Sequence, residues 1–475
     1  MNRIACWTAF FSTLVLSVSS LPAQQAENRF AASDYRETVD RIIAAAREEN
    51  DAWLKLQELC DDIGHRLSGS PQLEQAVEWA RQSLVDDGHE NVRVEEVMVP
   101  KWVRGEESLT MIQPRELEIE MLGLGGSVGT PPAGITADVV VVANKEELDG
   151  LPDEAIRDRI VVFNFAMPRY SETEGAGYGK AVVYRVNGAS WAAERGARAA
   201  LVRSVTAYSL NSPHTGGMSY RGGPDVPEIP AAAISVEGAT LMARLQARGI
   251  TPRVTLKMEA ANQGEAKSGN VLGELVGRER PGEIVVIGGH LDSWDVGTGA
   301  HDDGTGCVAA MEALNVLRKL GLRPRRTIRV VLWTNEENGV AGARSYAARH
   351  EDEPHVAGIE SDSGAFSPEG LSVEMKDKRQ EEVAAEQLQE ILSLLRPINA
   401  NRTMVGFSGV DVGPLQELGA ACMGLQVDGR LYFNTHHTAA DTVDKVDPDQ
   451  LTDCVITMAA AAWVIAEMPE RLGHQ

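Results

Sequence analysis

VVIGGHLDSWDVGTGAHDDGTG, residues 285–306, is the stretch from which the fold is read. An apolar run, Ile284 to Ile287, has the composition of a buried β-strand; two glycines end it, and His290 and Asp292 follow directly. A turn-rich loop leads to the pair Asp302-Asp303, and a helix is expected to begin near Gly304. Open α/β sheets bind their ligands just past the carboxyl ends of such strands. Ionisable side chains placed there are therefore candidates for chemistry.

Downstream, the pattern repeats. Thr327–Thr334 reads as a strand ending in Asn335-Glu336-Glu337, and Val356–Ile359 as one ending in Glu360-Ser361-Asp362. A strand near Ala421–Val427 is followed by the loop His436-His437-Thr438-Ala439-Ala440-Asp441. Runs at helical spacing separate these strands: Val308, Met311, Leu314 and Leu317; Gly339–His350; Ala384, Leu388, Ile391 and Leu395; and a last helix from about Pro448 to Glu467. Strands alternating with helices predict an α/β fold, a mostly parallel sheet flanked by helices.

Upstream, residues 24–109 read as helices leading into the edge-like strand Val92–Val97, the N-terminal part of the same domain. Ser70-Pro71 is a cap followed by proline at the first helical position. Residues 110–265 differ: short strands (Ala137–Ala143, Arg159–Phe163, Ala199–Val202, Ala231–Ser235) alternate with short helices and glycine-rich turns. The order RIVVF, SWAAERGARAALV, IPAAAISVEGATLMARL resembles a protease-associated domain, so this part is expected to be a β-rich insert that covers or shapes a neighbouring site. Residues 266–475 complete the main domain.

The chain has 475 residues and a formal net charge of −24, which disfavours nucleic acid and anionic membranes as partners. Residues 1–23 read as a secretory signal: Arg3, an apolar run from Ile4 through Val18, then small residues to Ala23. The run is shorter than the ~20 residues of a span, and no other stretch reads as long and apolar enough to span. A secreted or periplasmic protein is expected. Cys60, Cys307, Cys422 and Cys454 are spaced too widely for a zinc ribbon; mostly buried thiols are expected, with room for one disulfide.

Strand ends and loop together offer His, Asp and Glu without cysteine, a donor set that suits zinc, manganese or cobalt. His290-Leu291-Asp292, Gly299-Ala300-His301-Asp302-Asp303, Asn335-Glu336-Glu337, Glu360-Ser361-Asp362 and His437-x-x-x-Asp441-Thr442 resemble the dizinc exopeptidases that include bacterial leucyl aminopeptidases. Within that family, HLDSWDVG, NEENG and ESDSG most resemble the carboxypeptidase Q group. The resemblance implies two Zn²⁺ per chain, with His290 and Asp362 on one, Glu337 and His437 on the other, and Asp302 bridging. Three carboxylates and a bridging hydroxide balance four positive charges, leaving Glu336 over as the general base. Adjacent residues at a strand end point opposite ways, which would let Glu336 and Glu337 divide these jobs. Asp292 is expected to orient the His290 imidazole.

His436 stands where several relatives have a tyrosine that bonds the oxyanion, and it is expected to do the same with a ring N–H. As neighbours in an extended loop, His436 and His437 are expected to point to different sides. His301 is expected at the surface, and Trp294, Asp295, Asp411, Tyr432 and Asn434 are candidates for lining the pocket. Short peptides or dipeptides as substrates and a homodimer are what the resemblance implies. The alternatives are a single-zinc aminoacyl cyclase and a non-catalytic, receptor-like relative of the same fold.

Overall fold

Burial on both faces explains the apolar strand runs. Val285, Val286, Ile287, Val330, Val331 and Leu332 are fully or almost fully buried, each such side chain stabilising by roughly 1.5–3 kcal/mol. The computed structural model describes residues 30–474, so the expected signal, residues 1–23, lies outside the described residues.

The strands bearing these residues form the centre of an eight-stranded sheet. Arg280–His290 pairs in parallel with Arg326–Trp333 on one side and with His355–Glu360 on the other, and His355–Glu360 pairs in parallel with Ala421–Val427. Pro368–Val373 joins Ala421–Val427 antiparallel and carries Arg402–Val405 at that edge. At the opposite edge, Ala261–Leu275 runs antiparallel to Arg326–Trp333 and pairs with Glu90–Val103. The sheet is thus parallel where the candidate residues emerge, with antiparallel pairings on either side of that centre and one parallel pair, Pro368–Val373 with Arg402–Val405, at a rim. The first residues of Ala261–Leu275 are polar and mostly exposed, and the strand becomes buried only from Ser268 on.

Helix Thr305–Lys319 packs on this sheet, buried along nearly all its length, and helix Pro448–Glu467 lies against it. Among the described residues, Pro448–Glu467 is the one helix long and apolar enough to cross a membrane, which corrects the expectation that no later stretch is. Here it is a core helix, buried over most of its length. The N-terminal helices Arg36–Glu48, Ala52–Gln57 and Pro71–Asp86 complete that layer, and Ser70 Oγ accepts from the Leu73 N–H at 3.1 Å. Cys60, Cys307, Cys422 and Cys454 are all free and buried, so the room left for a disulfide is unused.

A second eight-stranded sheet lies between Glu107 and Met258. Ile135–Val142, Ile160–Phe163, Ala199–Arg203 and Ala231–Ile234 run parallel through its centre. Helices Tyr178–Ala193 and Val236–Ala247 accompany it, so this unit is itself α/β rather than simply β-rich. It meets the main sheet at the focal loop. A Cβ at Gly125 would stand 2.0 Å from the Trp294 ring, and Arg104 pairs with Asp295.

Candidate metal centre

The parallel strands deliver their side chains to one place. His290 ends its own strand; Glu336-Glu337 follow Arg326–Trp333, Asp362 follows His355–Glu360, and His437 lies in the loop after Ala421–Val427. Asp302 sits between them. Its Oδ1 is 3.3 Å from His290 Nε2, which is 3.5 Å from Asp362 Oδ1. Its Oδ2 is 3.2 Å from His437 Nε2, which is 3.1 Å from Glu337 Oε2. Each oxygen of Asp302 therefore faces one imidazole and one further carboxylate.

The donor atoms fit cations. His290 Nε2, Asp302 Oδ2 and Glu337 Oε1 are buried and have no hydrogen-bond partner, an arrangement costly for polar atoms unless something else satisfies them. The tautomers agree: His290 Nδ1–H donates to the Asp292 carbonyl at 3.0 Å, and His437 Nδ1–H to the Thr215 carbonyl at 3.2 Å. In both rings Nε2 is thereby the nitrogen turned toward the carboxylates. Burial opposes charging of either ring, but the carboxylates prevail: the pKa of His290 is well above the ordinary value, and that of His437 is raised to about 10.

Backbone geometry places these groups. A Cβ at Gly289 would lie 2.3 Å from Asp303 Oδ2, so glycine there lets Asp303 reach the strand end. Asp303 accepts from the His290 N–H and the Gly306 N–H, both at 3.0 Å. It lies within ligand reach of His290 and Asp362, yet both its oxygens are already engaged, and we assign it a structural task. Asp441 accepts from the N–H groups of His301 (2.8 Å) and Asp302 (3.1 Å), holding Asp302 from the His437 loop. Arg66, fully buried, donates to the carbonyls of Leu291, Thr298 and Gly299 and so braces the focal loop. Neither tie was assigned from sequence; Asp441 stood in a motif, while Arg66 carried no signal.

Several expectations are corrected. Asp292 steadies His290 through its main-chain carbonyl, whereas its carboxylate is 3.8 Å from the ring. That carboxylate instead accepts from the N–H groups of Glu336 (3.0 Å) and Glu337 (3.3 Å). Glu336 and Glu337 both line one cavity and do not lie on the strand, which ends at Trp333; Asn335, at φ 66°, turns the chain before them, so strand alternation does not set their directions. His436 and His437 do not point apart: their rings stack at 3.5 Å and 18°. His437 adopts the left-handed φ of 61°, which breaks the alternation of an extended loop. Such a conformation costs about 1–3 kcal/mol and needs outside support. Thr215 supplies it, its N–H donating to the His437 carbonyl at 3.0 Å while its own carbonyl takes the ring N–H.

The remaining candidates separate. Glu336 lines the cavity beside the cluster, and burial together with the Asp362 and Glu337 charges holds its pKa well above the carboxylate range. His436 Nε2 is 3.7 Å from Asp302 Oδ2, and burial followed by the His437 charge keeps the ring neutral. His301 is buried rather than at the surface, stacked on Phe366, accepting from the Ala365 N–H and donating to the Lys445 carbonyl; it is not a ligand. Tyr432 lines the cavity, but Trp294, Asp295, Asp411 and Asn434 are not among its walls. The cavity measures ≈ 990 Å³, and residues of the second sheet unit, Tyr178 and Arg185 among them, form part of its wall.

Residues 270–462 match peptidase family M28. The chain is 41% identical to carboxypeptidase Q of Mus musculus over 445 residues, covering 93% of this chain and 91% of that protein. It is also 41% identical to carboxypeptidase Q of Homo sapiens over 441 residues, 92% and 90% of the two. The crystal structure of a peptidase M28 precursor from Shewanella amazonensis superposes with a TM-score of 0.87 at 33% identity, over 93% of this chain and 99% of that one. An aminopeptidase from Aneurinibacillus sp. strain AM-1 shares the fold, with a TM-score of 0.62 at 20% identity over 91% and 97%.

Proposed function

The chain belongs to peptidase family M28 and is a zinc-dependent exopeptidase, and from that premise we propose that it is an exported dizinc enzyme acting on short peptides. One observation carries the two-metal reading: the two oxygens of Asp302 face two separate imidazole–carboxylate pairs. His290, Asp302 and Asp362 would hold one ion, and His437, Asp302 and Glu337 the other. Zinc bound there supplies Lewis acidity, polarising the scissile carbonyl and lowering the pKa of a water.

The chain's own residues do the rest. Glu336, beside the ligands and free of their task, takes the proton of the attacking water and returns it to the leaving amine. Burial and the neighbouring carboxylates push its pKa up from the ordinary carboxylate range, the direction that makes a carboxylate a better proton acceptor. Asp292 keeps Glu336 and Glu337 in place by holding their N–H groups. His436, neutral and stacked on His437, donates a ring N–H to the oxygen on which charge develops. The acidic surroundings of Glu336 favour a substrate with a free α-ammonium. Export through residues 1–23 and assembly as a homodimer belong to the same proposal.

A single-zinc cyclase is the weaker reading, because both half-sites have their full ligand sets. Metal analysis of purified protein separates the two: two zinc ions per chain are expected, with peptidase activity lost on chelation and regained with zinc. One ion per chain in fully active enzyme, or full activity after stripping, would overturn the dizinc reading.

A further inference from the structure

The cavity wall contains three arginines among the described residues, and two are already neutralised: Arg402 pairs with Glu369, and Arg430 with Asp428. Arg185 has no carboxylate partner. Its residue is 7% exposed, its Nη2 donates to the Tyr178 hydroxyl at 2.9 Å, and its Nε is buried without any partner. Nη1 stands 3.4 Å from the Thr215 carbonyl and 3.3 Å from His437 Nδ1, so the guanidinium lies one imidazole's width from a metal-facing nitrogen. Space has been kept for it: a Cβ at Gly216 would fall 2.4 Å from Arg185 Cζ. A buried guanidinium left unpaired is costly, and more so beside a centre that gathers divalent cations. An anion arriving with the substrate would relieve that cost.

We propose that Arg185 is a specificity-determining residue that reads the free C-terminal carboxylate of the substrate. The inference rests on the exopeptidase reading, which places the scissile carbonyl among His290, Asp302 and His437. In a two-residue substrate, the carboxylate lies a single residue beyond that carbonyl, on the leaving side. Beside His437, Arg185 meets it there; in a longer peptide the same position holds a neutral amide. The helix Tyr178–Ala193 of the second sheet unit thereby makes the cavity selective for dipeptides with a free carboxylate.

The test compares alanyl-leucine with its C-terminal amide in wild type, Arg185→Met and Arg185→Lys, with zinc content and melting temperature measured for each. Wild type is expected to prefer the acid by at least about tenfold in kcat/KM, in line with a hydrogen bond to a charged group. Arg185→Met should lower kcat/KM for the acid by roughly 10–100-fold, mainly through KM, and leave the amide within about threefold. Arg185→Lys should recover part of the preference while zinc stays bound. Equal handling of acid and amide by wild type would overturn the proposal and leave the exopeptidase reading intact. An equal loss on both substrates, or loss of zinc, in both variants would make Arg185 a prop for Thr215 and His437. Cleavage of neither substrate by zinc-loaded wild type would sink the proposal together with the reading beneath it.

Discussion

Replacing Asp292 by asparagine tests how the site is held. The carboxylate takes the Glu336 N–H on Oδ1 at 3.0 Å and the Glu337 N–H on Oδ2 at 3.3 Å, with the Ser68 hydroxyl also 3.4 Å from Oδ2. Asparagine has the same shape but only one accepting atom, so one of the two N–H groups would face an amide NH₂. Leaving a buried donor unpaired costs about 1–3 kcal/mol. If that strain is relieved by movement of the Glu336-Glu337 turn, kcat/KM falls roughly 5- to 150-fold. The substitution keeps the Asp292 carbonyl, which is what fixes the His290 ring. On the proposed dizinc reading, the ion assigned to His290, Asp302 and Asp362 should therefore keep its affinity, while the ion assigned to Glu337 and His437 weakens. Competition with a chromophoric chelator resolves the two affinities, and dipeptide hydrolysis gives kcat/KM. Preferential loss of the His290 zinc would refute the reasoning, because the carboxylate would then be acting on the imidazole across 3.8 Å. Unchanged metal binding with unchanged kcat/KM would refute it as well.

Glu336→Gln should keep both zinc ions and lose roughly 10²–10⁴-fold in kcat; loss of zinc from this variant would instead exchange the roles of Glu336 and Glu337. His436→Phe preserves a ring to stack on His437, so both metals should remain while kcat falls at least about tenfold with little change in KM. Normal kcat with full metal content would make His436 a packing residue. A further test lies far from the site, where Glu353 bonds His350 at 3.0 Å and Arg329 at 2.7 Å. The His350 bond, helped by Arg329 and against the cost of burial, lowers the Glu353 pKa from 4.5 to about 2. A folded-state pKa below the unfolded one gives stability that is complete above the unfolded value and is lost as pH falls toward the folded one. Glu353→Gln should therefore melt below wild type at pH 7, and the gap should close as pH drops from about 4.5 toward 2; a gap that does not change with pH contradicts this.

What the sequence alone determined is the identity of the groups at the strand ends. His290, Glu337 and Asp362 could be read because an apolar strand run is a local signal, and the residue after it emerges at the same edge of a parallel sheet each time. Asp302 could be found because it lies between that strand and the helix that follows. Strand pairing at the rims was less legible, since the polar first half of Ala261–Leu275 is held by hydrogen bonds to Glu90–Val103 rather than by burial. Side-chain direction was decided only in three dimensions. His437 points with His436 because its φ is positive, and it stays so because Thr215, more than two hundred residues earlier, pairs with its main chain and its ring. The Asp292 carboxylate turned from His290 to Glu336 and Glu337, in the turn past the end of the adjacent strand, for a like reason: two main-chain N–H groups there needed an acceptor. Hydrogen bonds across strands and between the two sheet units join residues with no local relation in the chain, so periodicity and spacing carry no trace of them. Arg66, Thr215 and Arg185 took their places at this site only when the chain folded.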